Sequence, residues 1–288
     1  MILVGKNNNF ISNTLCHGLK DCHAWPVGEL ATVEDKAGVD YIGVTVRYTH
    51  DTQNDLVARA VDTVQRITRK PLYINSLDPL AVKTALKVCH SKALINSTSL
   101  EPGKLIRELE MAQKYHADIV RLPRKRDSVS QSVNERCMTA LDLVFYAGEQ
   151  GIPNEKIWID IGTTPVLQNA KQVRACFEFL KLLHYIAPGC KSIIDPSHVS
   201  IGAPDHLRSY LDRAFLIMLM KYGLYAIFVN AFDVELINIA RERESSLVKL
   251  VHDIMEGESP CSSRLNSEEV KFAKAVRVLN GEPIDSPL

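Results

Sequence analysis

The chain has no excess of charge of either sign: Lys+Arg and Asp+Glu number 34 each, for a formal net charge of zero. That balance excludes the general pull toward nucleic acid or a membrane surface that a strongly basic chain exerts. The seven cysteines (16, 22, 89, 137, 176, 190 and 261) contain no Cys-x-x-Cys. An odd, scattered set points to free thiols in a reducing cytoplasm and not to a disulfide framework. Cys16-His17 and Cys22-His23 lack a second ligand cluster at zinc spacing. They are read as local packing, and no bound metal is expected. No apolar run is long enough to span a membrane, because the most apolar stretch, Ala214 to Phe232, is interrupted by Lys221 and Gly223. No leader peptide is expected either, since Met1-Ile-Leu-Val-Gly runs straight into Lys6-Asn-Asn-Asn. The expected setting is therefore cytoplasmic.

Several catalytic signatures are missing as well. The first turn, Gly5-Lys-Asn-Asn-Asn-Phe, is not the G-x-G-x-x-G of a doubly wound nucleotide-binding sheet. There is no G-x-S-x-G elbow, and no lysine placed within a strand to announce a Schiff base.

What the chain does have is repetition. Short apolar runs at Ile2–Val4, Tyr41–Val46, Leu72–Ile74, Ala93–Ile95, Ile119–Leu122, Ile157–Ile159, Ser192–Ile194 and Ala226–Val229 read as strands. Between and after them lie helical stretches such as Leu80–Cys89, Leu105–Tyr115, Asn134–Gln150, Ala170–Ile186, His206–Tyr222 and Val234–Met255. In the third of these, Leu141, Val144, Phe145 and Gly148 fall on one helical face. Gly38, Gly151 and Gly223 mark helix ends. Eight strand–helix units predict a (β/α)8 TIM barrel over residues 1–256, in preference to an open sheet. Residues 257–288 predict a linker and one helix, Glu268–Leu279, whose apolar stripe (Val270, Ala273, Val276 and Val278 or Leu279) packs on the barrel or on a partner.

Active sites of such barrels sit at the C-terminal ends of the strands. The predicted rim holds Gly43, Thr45 and Arg47; Asn75 and Ser76; Asn96, Ser97 and Thr98; Arg121, Pro123, Arg124, Lys125 and Arg126; Asp160; Asp195, Ser197 and His198; and Asn230 and Asp233. Each strand-end Asn alone can serve as a loop cap. Several amides converging with a carboxylate suit a flat heterocycle with alternating donors and acceptors.

With those residues in view, the chain resembles the pterin-binding barrels, especially the methyltetrahydrofolate:corrinoid methyltransferases, over about residues 1 to 240. Four ordered segments carry the resemblance. They are Pro71 to Ser99, ending in Ile95-Asn-Ser-Thr-Ser; Ile157-Trp-Ile-Asp160; Ser197-His-Val-Ser200, where the family has S-N-V-S; and Ala214 to Leu224, where a helix ends in Gly-Leu. The resemblance implies that Asn96 and Asp160 are the family's pterin-binding Asn and Asp, with Asn75, Ser197 and Asn230 as further pterin contacts. Four positions depart from the family pattern. Asn75 stands for an Asp, Gly43 and Thr45 for an Asp-x-Asn, and His198 for the Asn that reaches N5 of the folate.

Three functions follow as expectations. The first is methyl transfer between N5 of a reduced folate (methyltetrahydrofolate) and the cobalt of a corrinoid (cobalamin) carried by a partner protein. His198 would be the catalytic donor to N5, because histidine exchanges protons near neutrality. Arg47, Arg124 and Arg126 would meet the anionic tail of the folate. Family membership also implies a homodimer. The second is an altered or non-catalytic relative that docks a corrinoid protein. The third is a metal-dependent, phosphoenolpyruvate-using aldol-type synthase, suggested by Ile194-Asp-Pro-Ser-His198, with Arg121, Arg124 and Arg126 on a phosphate.

Overall fold

The computed structural model describes residues 1–7, 25–46, 54–76, 78–97, 102–121, 124–125, 128–129, 132–241, 245–258 and 265–284. Eight strands form one parallel sheet: β1 (Ile2–Gly5), β2 (Ile42–Val46), β3 (Leu72–Ser76), β4 (Ala93–Ser97), β5 (Asp118–Arg121), β6 (Ile157–Asp160), β7 (Lys191–Ile194) and β8 (Ala226–Val229). Each is hydrogen-bonded to its neighbour in sequence from β2 to β8, and β8 pairs with β1 in the register Ile2–Ala226 to Gly5–Val229. The ring nearly closes between β1 and β2, where one bridge, Val4 to Tyr41, joins them. The architecture is a (β/α)8 barrel, and all eight predicted strands are found.

The helices are α1 (Trp25–Lys36), α2 (Asn54–Ile67), α3 (Pro79–Val88), α4 (Pro102–Lys114), α5 (Val133–Glu149), α6 (Lys171–Ile186), α7 (Asp205–Met220), α8 (Val234–Arg241), α9 (Ser246–Met255) and α10 (Ser267–Leu279). Local chemistry sets their starts. Asp78 accepts from the Leu80 amide ahead of Pro79, and Ser132 accepts from Glu135. Asn266 and Glu269 close a capping box on α10. Such caps satisfy amides that the first helical turn cannot.

One expectation needs correction. The stretch Val234–Met255 is two helices, not one, because Ser245 caps a new start by accepting from the Val248 amide. A serine there favours a cap over a helix interior. In α5, Leu141 and Phe145 do not face the core: they are 40% and 63% exposed, while Arg136, Ala140, Leu143 and Ala147 are buried. Both stripes have helical spacing, so periodicity alone does not say which one is buried. The terminal helix packs on the barrel, burying Phe272, Ala275, Val276 and Leu279 with α7 and α9 as its main neighbours.

Strand alternation divides the core in two. Outward residues such as Leu3, Ile42, Ile74, Ile95, Ile119, Ile159 and Ile227 pack beneath the helices. Inward residues form a separate cluster that fills the barrel: Val4, Tyr41, Tyr73, Leu94, Val120, Trp158, Ile193, Ala226 and Phe228. At the N-terminal end this cluster is sealed by Asp118, which is fully buried. Its Oδ2 accepts from Trp158 Nε1 at 3.0 Å and pairs with Lys92 at 2.9 Å and Lys191 at 3.4 Å.

The seam between β1 and β2 is completed by a side chain. Glu34 of α1 is fully buried, and its carboxylate accepts from the Asn7 amide at 2.7 Å and the Gly43 amide at 2.9 Å. A Cβ at Gly5 would sit 2.4 Å from that carboxyl group, and one at Gly43 would sit 2.3 Å from the Gly5 carbonyl oxygen. Gly43 is therefore required by the close approach of β1. A side chain there would strike the neighbouring strand before it could reach a ligand.

Candidate functional site

Carrying the inward alternation one step beyond the apolar cluster places Lys6, Thr45, Asn75, Asn96, Asp160, Asp195 and Asn230 around the C-terminal mouth. A barrel packed with side chains below thus presents a polar ring above, where its strands end.

On one side of the mouth are Asn75 and Asn96, from β3 and β4. The Asn96 Nδ2 donates to Asn75 Oδ1 at 2.8 Å. Asp160 ends β6, and its Oδ1 accepts from the Gly162 amide at 2.9 Å. That turn is held from behind by Arg136 of α5, fully buried, whose Nη1 donates to the carbonyls of Ile161 at 2.6 Å and Gly162 at 2.8 Å. Its Nη2 donates to Gln172 Oε1 at 2.7 Å, and the Cys176 thiol donates to the Gly162 carbonyl at 3.1 Å.

The other side is ionic. Lys6 Nζ donates to both oxygens of Asp195, each at 2.7 Å, and to Ser197 Oγ at 2.8 Å. In sheet order β1 and β7 flank β8, so this pair spans the end of β8. Asp195 also caps the short turn Pro196–His198 by accepting from the Ser197 amide. Burial pushes the Asp195 carboxyl up, but Lys6, His198 and the Lys6 and Ser197 hydrogen bonds outweigh it and hold the group below the usual carboxylate range. His198 Nε2 lies 3.9 Å from Asp195 Oδ2. The loops after β6 and β7 are tied by the Val166 amide donating to the Val199 carbonyl at 2.8 Å.

Beneath these groups lies Tyr73. Burial, joined by the charges of Asp160 and Asp195, pushes its phenol far above its ordinary value, so it stays protonated. Both carboxylates therefore approach the same floor. Behind the ionic side, Asp212 of α7 accepts from Ser200, and its Oδ1 is buried without a hydrogen-bond partner. Burial above all, then Asp195, pushes its carboxyl up to about 6 against the opposing effects of Ser200, Lys6 and Arg208.

The predicted site residues fall into three groups. Asn75, Asn96, Asp160, Ser197 and His198 belong to the mouth. Asn230 also lies there, but it acts as a loop tie: its Oδ1 accepts from Asn7 Nδ2 at 2.6 Å and from the Phe232 amide at 3.1 Å. Asp233 pairs with Arg213 at 2.8 Å and accepts from the Leu236 amide, so it caps α8. Arg121 does not reach the rim. Register puts it on the outward face of β5, where burial lowers its pKa and Glu108 and Asp142 oppose that effect. Arg47, Thr98 and Arg126 lie outside the described residues, as do Cys16, His17, Cys22 and His23. Arg124 is described only as backbone, in a short pairing with Val129.

Lys6 is a side chain of the mouth that the expected rim lacked, standing one residue past β1. The signal was present in the alternation Ile2, Val4, Lys6.

No family model matches the sequence. Solved structures of similar fold include a Yersinia pestis dihydropteroate synthase carrying a pterin–sulfa conjugate, with 15% identity, a TM-score of 0.61, and coverage of 89% of this chain and 94% of that one. A dihydropteroate synthetase with a bound product has 15% identity and a TM-score of 0.63, covering 84% of this chain and 92% of that chain. Dihydropteroate synthase from Thermus thermophilus has 18% identity and a TM-score of 0.58, covering 83% and 91%. At these identities the likeness is one of fold.

Proposed function

We propose that this chain is a pterin-binding transferase and, within that class, a methyltransferase acting between N5 of a reduced folate and the cobalt of a protein-bound corrinoid. The observation that carries the proposal is the gathering of the Asn75–Asn96 amide pair and Asp160 around one mouth. A carboxylate accepts well from the N–H donors of a 2-amino-4-oxo pyrimidine edge, and amides serve its alternating remainder. The fold shared with dihydropteroate synthases, one of them holding a pterin conjugate, supports the same ligand class. The four segments read in the sequence support the finer choice of methyl transfer. That choice brings with it a corrinoid-binding partner protein and a homodimer.

The competing reading is a relative that docks a corrinoid protein without turning over folate. It is favoured by one observation: the Asn75 carbonyl and Asn96 amide already satisfy one another. The phosphate-using alternative loses support, because Arg121 faces away from the mouth.

Titration with 5-methyltetrahydrofolate separates the first two. Losing one charge-assisted contact at about 1.5–3 kcal/mol weakens binding by roughly 10- to 150-fold. Asp160→Asn is therefore expected to weaken binding at least tenfold, and Asn96→Ala by a smaller factor, with circular dichroism unchanged. Wild-type protein that binds no folate at millimolar concentration would overturn the proposal. The leaving nitrogen needs a proton, and two side chains on the ionic side, Lys6 and His198, can supply one.

A further inference from the structure

We propose that Lys6 is the catalytic proton donor to the leaving nitrogen of the reduced pterin, with Asp195 as its positioning residue; this assignment rests on the pterin reading above. Depth decides between the two candidates. The Lys6 side chain is 28% exposed and that of His198 is 55% exposed. Lys6 continues the inward row of β1 over the barrel interior, whereas His198 ends a short turn on the rim. His198 is also 3.9 Å from the carboxylate that would orient it, beyond hydrogen-bond range, while Lys6 is gripped by both oxygens of that carboxylate at 2.7 Å.

Stability alone is a weak reason for such a pair. Taking an ammonium and a carboxylate out of water costs several kcal/mol per ion, and apolar replacements of similar volume are often neutral or stabilising. The pair does fix direction. Lys6 Nζ bonds both oxygens of one carboxylate and Ser197 Oγ, so it can keep one oxygen and turn the other N–H toward a ligand above Tyr73. Burial raises the Asp195 carboxyl, but while Lys6 carries its charge, Lys6, His198 and the hydrogen bonds from Lys6 and Ser197 hold it below the usual range.

The step balances as follows. The reduced corrinoid, as second substrate, supplies an electron pair to the methyl carbon. The N5–methyl bond breaks and its electrons return to N5, which takes a proton from Lys6 as the methyl group joins the cobalt. Lys6 is left as a neutral amine and takes a proton back from solvent to complete the cycle.

Single-turnover transfer from 5-methyltetrahydrofolate to free cob(I)alamin tests this, alongside folate binding. Lys6→Met is expected to slow transfer by at least about 100-fold, as for loss of a general acid, with the folate Kd within about threefold. Lys6→Arg is expected to slow transfer less, and His198→Ala by less than about tenfold. The double variant Lys6→Met/Asp195→Asn leaves no unpaired buried charge, so it controls for folding, and it is expected to be as slow as Lys6→Met. Transfer by Lys6→Met at the wild-type rate would overturn the proposal, as would a loss of folate affinity matching the loss of rate. A deep defect in His198→Ala with none in Lys6→Met would assign the proton to the histidine. Wild-type protein that binds no folate would remove the pterin reading itself; wild-type protein that binds folate but transfers no methyl would remove the methyl-transfer reading and Lys6's role with it; and normal wild-type transfer that Lys6→Met retains would remove Lys6's role alone.

Discussion

Asp212 shows at the scale of one residue how position turns an ordinary carboxyl into a group that titrates near neutrality. Its folded-state pKa, about 6, lies above the ordinary 3.8. For a carboxyl with a raised pKa, the folded state holds the proton more tightly than the unfolded chain. The contribution to stability is therefore full below about pH 4, declines as pH rises from about 4 to about 6, and is a constant penalty above that, on the order of 3 kcal/mol. Asp212→Asn keeps the shape and removes the charge. It is expected to raise stability at pH 7 by about 1–3 kcal/mol and to give no advantage at pH 4. Urea unfolding at the two pH values measures this, and an equal effect at both would contradict the assignment. Residues of this kind were the least legible in the sequence. Asn75, Asn96 and Asp160 could be found because they end apolar runs. Asp212 and Arg136 sit within helices, and nothing local distinguishes them from solvated charges.

At the scale of an element, α5 shows what periodicity leaves open. Leu141 and Phe145 share a helical face but are exposed, and the buried row begins with an arginine. Arg136 is tolerated there because its donors meet two backbone carbonyls and Gln172. A charged residue at the head of a stripe of Ala140, Leu143 and Ala147 is the signal that could have selected the correct face. The turn it holds passes directly to Asp160 through the Gly162 amide, so α5 sets the aim of a carboxylate on β6. Arg136→Met would take the Arg136 donor from both carbonyls within a buried site, leaving the Cys176 thiol on Gly162. It is expected to cost about 2–4 kcal/mol in urea unfolding, with Arg136→Lys recovering part of that. A loss below 1 kcal/mol would mean that the turn holds itself.

For the whole molecule, the barrel was legible because its two periodicities repeat eight times, and repetition outvotes any one ambiguous segment. The mouth was half legible. Strand ends told which residues are present, but their pairing across the ring, Lys6 with Asp195 or Asn7 with Asn230, joins positions nearly two hundred residues apart or more. Closure of the ring was not legible at all. Past the backbone bonds between Tyr41 and β1, it relies on Glu34, a helix residue whose carboxylate accepts from amides on both sides of the joint. A ring closed in part by a side chain need not come apart everywhere at once. The amides of Asn7 and Gly43 share one protector, so they should exchange with deuterated water at linked rates, faster than amides in the continuous ladder from β3 to β8. Glu34→Gln keeps one acceptor oxygen and turns an N–H donor on the other amide, which weakens the joint the two amides share. It should speed both amides by about tenfold or more while leaving β6 and β7 amides slow, as amide-resolved exchange would record. The barrel would then breathe at one joint, beside Lys6, so that the strand bearing the proposed proton donor is anchored by a full ladder on one side only.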